Sequence, residues 1–597
     1  MSSLGEGTVG PSAQPVPRSV VAGVAITLAL VALWALPRTI QAGDAGELST
    51  VMLRGGIPHP SGYPWMRVLG GLARILLVLP ISPAMAAALP CAAAGVAGWT
   101  LLVAPLARVT TTVAAVAAIG IVAVSPTVVL HTADAEVWGP LVLAAAVVVR
   151  LCLRGGVHPG WLGLAIGAAV SHHLTAVLLV PCVVAAAWPS GAGSRDVVAI
   201  ARAAGWGLLG SAAGLTMYLT LMVGDDGAWR WGHPETFAGL WHHVTRADYG
   251  AWSLSLHETP VSVTAQWSRA LASLGAASTA GLASTWWLGA LVLVGLVAAA
   301  WGPARARLGA RALGLGTAAA LSALGLPAAF NLDPSSPFAA WILERFDVLT
   351  LVLLTVPLAL AIDRGLRRLD RARPRAVATA ALAVLALANL ARSAAHGMPS
   401  ADDVVQRYAV AVLRSPPPDR TAIVFGTDDH RTFPVLFAQQ VLGEGGHVLY
   451  VDASLLAHPW YREALRQRVP WLPDRDKPLA LVGALYEDAE HRDTPVYLAN
   501  VFSRPASQVP RVPEGVLWRI VGPHGPPPDA DAVVAAHEAA IDRIGDAPSP
   551  TDAPGHPWSR DLAAAFVEGH GQVVQALLRE GRTSQADALA QRWGRTP

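Results

Sequence analysis

The chain has 597 residues, 53% of them hydrophobic and only 14% charged, and its mean hydropathy is +0.44. That composition excludes an ordinary soluble domain and indicates a chain with many membrane spans. A net charge of +2 excludes a nucleic-acid footprint, and the three cysteines, Cys91, Cys152 and Cys182, lie in apolar runs where neither a disulfide framework nor a thiolate metal site is indicated.

In chain order, residues 1–18 read as a cytoplasmic tail. Ser19 to Leu36 exceeds the apolar core of a signal peptide and lacks a small-x-small cleavage site, so it reads as a retained first span. Residues 37–83 form the first outer loop, in which Asp44, Glu47, Arg54 and His59 crowd among glycines and prolines. Charges so close to a bilayer are costly unless they face water or a site. Within this loop, Pro64 to Pro80 carries Arg67 and Arg74 at helical spacing and suits a helix lying in the interface.

Further spans of about 20 residues are expected near 84 to 105, 110 to 129, 137 to 153, 203 to 223, 286 to 301, 311 to 330, 346 to 362 and 376 to 392. Leu162 to Trp188, with Ser171, His172, His173 and Thr175 at its middle, suits two short helices meeting at a polar elbow. The result is an α-helical polytopic membrane domain over 19–395 with about 11 spans. Arg108, Arg150, Arg154, Arg195, Arg202, Arg305, Arg307, Arg311 and the run from Asp363 to Arg375 then fall on one side. Asp44, Glu47, Asp134, Glu136, Asp225, Asp226 and Asp333 fall on the other. The positive-inside rule makes the first side cytoplasmic.

Beyond the last span, AIVFGT and HVLYVDA read as strands separated by a helical PVLFAQQVLG. Residues 396–525 are expected to form an extracytoplasmic α/β domain. Residues 526–597 are expected to hold a linker and a C-terminal helical segment, a helical pair or a repeat-like unit.

Asp44 and Glu47 are three residues apart and share a face on a helix. A carboxylate in apolar surroundings gains proton affinity and can act as a general base. Asp44 is the stronger candidate because Gly43 and Gly46 let a ligand approach the backbone. The spacing fits a capping box equally well, with Asp44 as N-cap, and the two roles are compatible. His59, held between Pro58 and Pro60, reads as a hydrogen-bonding group rather than a metal ligand. His172 and His173 either contact a phosphate or cap two helix ends. From Gly224 to Thr285 an outer loop rich in Trp and His is expected, with Arg246, Asp248 and Tyr249 facing a ligand or its tryptophans anchoring the interface. Arg345, next to Glu344, either holds a phosphate or forms a structural ion pair. Two carboxylates alone make a weak metal site, so no metal ligand is assigned and dependence on a divalent ion is left open.

The segments DAGELSTVMLRGGIPHPSGYP, AEVWGPLVL, GAAVSHHLTAVLLVP, WGHPETFAGLWHHVTRADYG and AIVFGTDDHRTFPVLFAQQVLG with SLLAHPWY resemble, in order, a family of multispanning proteins long labelled a domain of unknown function. That family includes the animal O-mannosyltransferases acting on plexin-type receptor domains and is grouped with the GT-C fold glycosyltransferases; the resemblance covers roughly residues 19 to 500. Ser61 stands where the family pattern has proline. The resemblance implies a GT-C-like enzyme that transfers a sugar, with inversion, from a polyprenyl-phosphate donor to a protein or glycan acceptor outside the membrane. In a bacterial plasma membrane the carrier would be undecaprenyl phosphate. Asp44 maps to the catalytic base with Glu47 as second claimant, while Arg54, His59, His172, His173, Arg246 and Arg345 supply donor-phosphate or substrate contacts. Asp428, Asp429 and His430 of the α/β domain bind the acceptor or merely cover the site. A transporter or flippase of lipid-linked sugars is the alternative. It calls for internal repeats and midplane charges, neither of which stands out; a non-catalytic binder is a third reading.

Overall fold

The computed structural model describes residues 15–189, 196–223, 227, 229–250, 262–330, 332–396, 402–488, 494–500, 508–521, 529–548 and 557–593. Arg195, Asp225, Asp226 and the proline-rich stretch 522–528 lie outside them. Six helices among the described residues are long and apolar enough to cross a bilayer: Arg18–Ala35, Pro83–Val109, Val197–Leu221, Trp286–Leu308, Asp347–Arg367 and Ala372–Ala395. They make the chain an integral membrane protein.

Other expected spans are broken or short, which is why fewer helices reach full length than the apolar runs suggest. The run 110 to 129 divides into Thr112–Ala123 and Pro126–Thr132, bent by 68°. Pro126 has no N–H and holds Ser125 extended, at φ −70° and ψ 150°, so the helix restarts in a new direction. Trp138–Arg154 has 17 residues. The run 162 to 188 divides at His173, whose extended backbone separates Pro159–His172 from a 3-10 turn, Leu174–Leu179, leading into Val180–Ala187. This is the expected elbow. The helix Pro64–Leu76 is amphipathic, turning Met66 and Ala73 inward and Val68, Leu72 and Ile75 outward.

One expectation fails. The stretch 224 to 285 is not simply a loop, since it contains the helix Val263–Ser278, which packs along Trp286–Leu308. Gln266, Arg269 and Ser273 dilute its apolar pattern, and two of them work as internal fasteners. Arg269 makes paired bonds of 2.8 and 3.0 Å to Asp347, and Gln266 donates to the Leu332 carbonyl at 2.6 Å.

Three of the described arginines in that group bond backbone carbonyls at one end of the bundle, two of them at helix C-termini. Arg311 donates to the Cys152 and Leu153 carbonyls, Arg364 to Ala299 and Arg307 to Val109. Fully buried Asp363 accepts from Thr111 N at 2.9 Å, Arg307 at 2.7 Å and Arg367 at 2.9 Å.

Two short strands, β1 (Gly56–Ile57) and β2 (Trp229–Arg230), pair in parallel and tie the first loop to the later one. After the bundle come β3 (Ala422–Gly426), β4 (Val448–Asp452), β5 (Val496–Leu498), β6 (Arg511–Glu514) and β7 (Leu517–Ile520), forming one sheet in the order β4-β3-β5-β7-β6. β3 lies parallel to β4 and β5, whereas β7 is antiparallel to β5 and β6. The helix Asp429–Gln440 follows β3 and lies against Ala45–Arg54 of the first loop. The C-terminal helices Ala530–Ile544, Pro557–Arg579 and Thr583–Arg592 do not trail as a separate segment. The last two pair, and His537 on the first accepts from Gly515 N at 3.2 Å, burying the helix against the sheet. Trp231, expected near an interface, is instead 2% exposed and packs on Trp460 of the sheet domain at 5.2 Å between ring centres.

Candidate active site

Glu47 lies on the first turn of Ala45–Arg54 and is completely buried. Its carboxylate accepts from the His59 backbone N–H at 2.9 Å, the His59 ring at 2.5 Å and the Trp229 indole at 2.7 Å. Trp229 reaches it through the β1–β2 pairing, and that pairing needs Gly56. Its φ is +122°, and a Cβ there would lie 1.8 Å from the Trp229 carbonyl oxygen. With three donors on it, Glu47 serves to position His59. Burial alone would lower the His59 proton affinity, but the Glu47 charge and hydrogen bond and then Asp44 raise it to about 9. His59 is therefore a cation at neutral pH, and its other nitrogen lies 3.1 Å from the Tyr63 hydroxyl.

Asp44 occupies the N-cap position without capping, since its side chain makes no bond to the following turn. Oδ2 instead accepts from Arg345 at 3.1 Å, and the same guanidinium nitrogen lies 3.3 Å from Glu136 Oε1. The capping-box reading is thus not realised at either end. Both carboxylates are drawn off by partners distant in sequence. Asp44 keeps 19% side-chain exposure, against 10% for Arg345 and 7% for Glu136, so it is the member that solvent or a ligand can reach.

The electrostatics also depart from expectation. Burial would raise the Asp44 carboxyl, but Arg345, His59 and Arg246 outweigh it and hold Asp44 below the ordinary range. Burial and then the Asp44 charge raise Glu136, so Glu136 holds a proton more tightly than Asp44. The glycines were misread too. A Cβ on Gly46 would lie 2.4 Å from the Phe433 backbone, and one on Gly43 would lie 2.8 Å from the Trp558 ring. They admit the C-terminal domain rather than a ligand.

Of the other residues singled out, Arg246 joins the cluster. It sits at φ +57° with its guanidinium 5.3 Å from the Tyr249 ring centre, and its charge acts on Asp44, Tyr63 and His173. Its Nε is buried without a hydrogen-bond partner among the described residues, as is that of Arg345. The ion-pair partners of Arg345 are Asp44 and Glu136 and not the adjacent Glu344, which turns away to accept from Thr127 at 2.5 Å.

His173 forms an aromatic wall, with its ring 5.9 Å from Tyr63 and 5.0 Å from Trp138; its Nδ1 is taken by Thr175 at 2.7 Å. His172 stays outside the cluster and fastens the elbow to the Val137 carbonyl at 2.7 Å. Arg54 is also absent from it, since a ten-residue helix carries it to the far end, where it donates to the Gln440 carbonyl at 2.9 Å. Asp248 is spent on His242 at 2.8 Å and the Trp231 indole at 3.2 Å.

Sequence reasoning counted Glu136 only as a topological charge and passed over Tyr63 and Trp229. Glu136 sits in AEVWGP, a stretch already singled out, and that was the available signal. Among the described residues, no group of three or more His, Cys, Asp or Glu side chains is arranged to hold a metal ion.

No protein-family model matches the chain, and no curated protein matches it. Among solved structures it is similar to ArnT from Cupriavidus metallidurans bound to undecaprenyl phosphate, with a TM-score of 0.45 and 13% identity over 77% of this chain and 96% of that one. ArnT from the same organism in the apo state gives a TM-score of 0.46 and 12% identity over 86% of this chain and 99% of that one.

Proposed function

We propose that this protein is a membrane glycosyltransferase of GT-C type, transferring a sugar from a polyprenyl phosphate to a hydroxyl of a protein or glycan acceptor, with inversion. One observation carries the reading. Asp44, a partly exposed carboxylate, is held by Arg345 beside a second guanidinium, Arg246, and the protonated ring of His59. Both guanidinium Nε–H groups are buried and unanswered among the described residues. Buried donors left without partners are costly, and a phosphate would satisfy them.

In this scheme the donor phosphate engages Arg345 and Arg246. Once Arg345 is shared with a second anion, Asp44 loses part of the field that depresses its proton affinity and becomes a competent base. Asp44 takes the proton of the acceptor hydroxyl as that oxygen attacks the anomeric carbon. The bond from that carbon to the phosphate oxygen breaks, and its electrons leave on the phosphate, stabilised by the two arginines and His59. Glu47 keeps His59 charged and oriented. Tyr63, His173 and Trp138 wall the sugar. With the arginine-capped end cytoplasmic, the N-terminus is cytoplasmic, the cluster and sheet domain are extracytoplasmic, and undecaprenyl phosphate is the carrier in a bacterial plasma membrane.

The test is sugar transfer or release by the purified protein in lipid nanodiscs, from a panel of polyprenyl-phosphate sugars that includes mannose. Wild type should cleave a donor, and Asp44→Asn should bind the same donor without cleaving it. Wild type that binds the donors and cleaves none of them would remove the enzyme reading.

A further inference from the structure

The helix Asp429–Gln440 opens with four consecutive polar residues, Asp429, His430, Arg431 and Thr432. Three are committed to holding the C-terminal region together. His430 lies 3.1 Å from Asp561, Arg431 bonds the same carboxylate, and the Thr432 hydroxyl donates to Asp452 at 2.7 Å. The Asp429 side chain has no hydrogen bond or ion pair among the described residues, and part of the residue reaches the surface.

Its direction follows from Phe433, one turn further on the same face of the helix. The Phe433 backbone presses on Gly46. Its ring lies parallel to His59, 6.4 Å between centres and 12° between planes, and 6.5 Å from Trp229. Asp429 therefore faces the ground occupied by Asp44, Glu47 and His59. Loss of water around its carboxyl on the side facing the cluster and then the charge of Asp44 raise its proton affinity, with His59 acting against them and Asp452 and Glu47 adding to them. Buried polar groups without protein partners in the same cluster mark it as a place that can bind a polar ligand. Arg345 Nε and Glu136 Oε2, on residues only 8% and 5% exposed, have no partner among the described residues.

We propose that Asp429 is the acceptor-holding residue of this site: supplied by the sheet domain, it hydrogen-bonds the attacking hydroxyl and sets it against Asp44. The acceptor class is then a hydroxyl-bearing side chain or sugar entering between the sheet domain and the first loop. The inference rests on the transfer reaction proposed above and gives the sheet domain a part in the chemistry rather than the role of a cover.

The test uses full-length protein in nanodiscs with a polyprenyl-phosphate sugar that wild type cleaves. N-acetylthreonine amide and methyl mannoside serve as hydroxyl probes. Asp429→Ala should retain donor binding by native mass spectrometry while the KM for the hydroxyl probe rises about ten- to hundredfold, the scale of one hydrogen bond to a charged group. Asp429→Asn should recover part of that loss, and both variants should lose the limb of the acceptor KM profile near pH 8 while keeping the His59 limb near 9. Wild-type acceptor kinetics in Asp429→Ala would overturn the proposal. So would loss of donor binding together with transfer, which marks a structural role. If wild type cleaves no donor, the transferase reading fails and this inference falls with it.

Discussion

Gly46→Ala isolates the contact between the membrane-embedded part and the sheet domain. The added Cβ would stand 2.4 Å from the Phe433 carbonyl carbon and oxygen, and ordinary contact begins at 3.4 Å, so one helix must retreat by about 1 Å. Ala45–Arg54 cannot, because every residue from Ala45 to Leu53 is buried. The movement must come from Asp429–Gln440, which meets the obstruction through backbone rather than a flexible side-chain tip. Overpacking of this kind costs about 1–3 kcal/mol, so docking should weaken by roughly 5- to 150-fold at one decade per 1.4 kcal/mol. Hydrogen exchange by mass spectrometry reads this directly, with peptides covering 429–440 and 45–54 exchanging faster by that factor while peptides from Asp347–Arg367 keep their protection. Unchanged exchange in the first two peptides would refute the close approach, and with it the placement of Asp429 over the cluster.

Two further expectations concern charge. His59 is raised to about 9 in the folded protein from 6.5, so its pairing with Glu47 contributes fully below about pH 6.5 and is lost as pH rises through about 9, amounting to roughly 3 kcal/mol at most. Thermal midpoints measured from pH 6 to 10 should fall more steeply in wild type than in Glu47→Gln, and parallel curves would contradict the pairing. Arg345→Gln strands the Asp44 and Glu136 carboxyls and should destabilise the protein by about 3–5 kcal/mol. Adding Asp44→Asn should restore much of the midpoint without restoring activity, and purely additive midpoint losses would show that the two do not interact.

How far the site could be read ahead of the structure depended on the range of each interaction. Asp44, Glu47 and His59 stood out locally, as charges among glycines and prolines beside an apolar run. Their roles did not, because what sets Asp44 is Arg345, 301 positions away, and what occupies Glu47 is Trp229, 182 positions away. Arg54 was misplaced for a simpler reason, since a helix intervenes and carries it away from Asp44. Among the spans, apolar length was legible, whereas the polar helix Val263–Ser278 was hidden by Arg269 and Gln266, whose partners lie outside its own stretch. The parallel core β4-β3-β5 of the sheet was visible in part through its apolar runs. The antiparallel pair β6-β7 was passed over, being two four-residue strands around Gly515.

Asp363 gathers a donor from the start of Thr112–Ala123, one from Trp286–Leu308 and one from its own helix on a single buried carboxylate, which clamps three segments together at the arginine-capped end of the bundle. Asp347, beside Arg345, stands about 24 Å further along the same helix at 1.5 Å per residue. That end is clamped as well, by the paired bonds of Arg269 to the buried Asp347 carboxylate, so the rod leading up to Arg345 is pinned by a carboxylate at both ends.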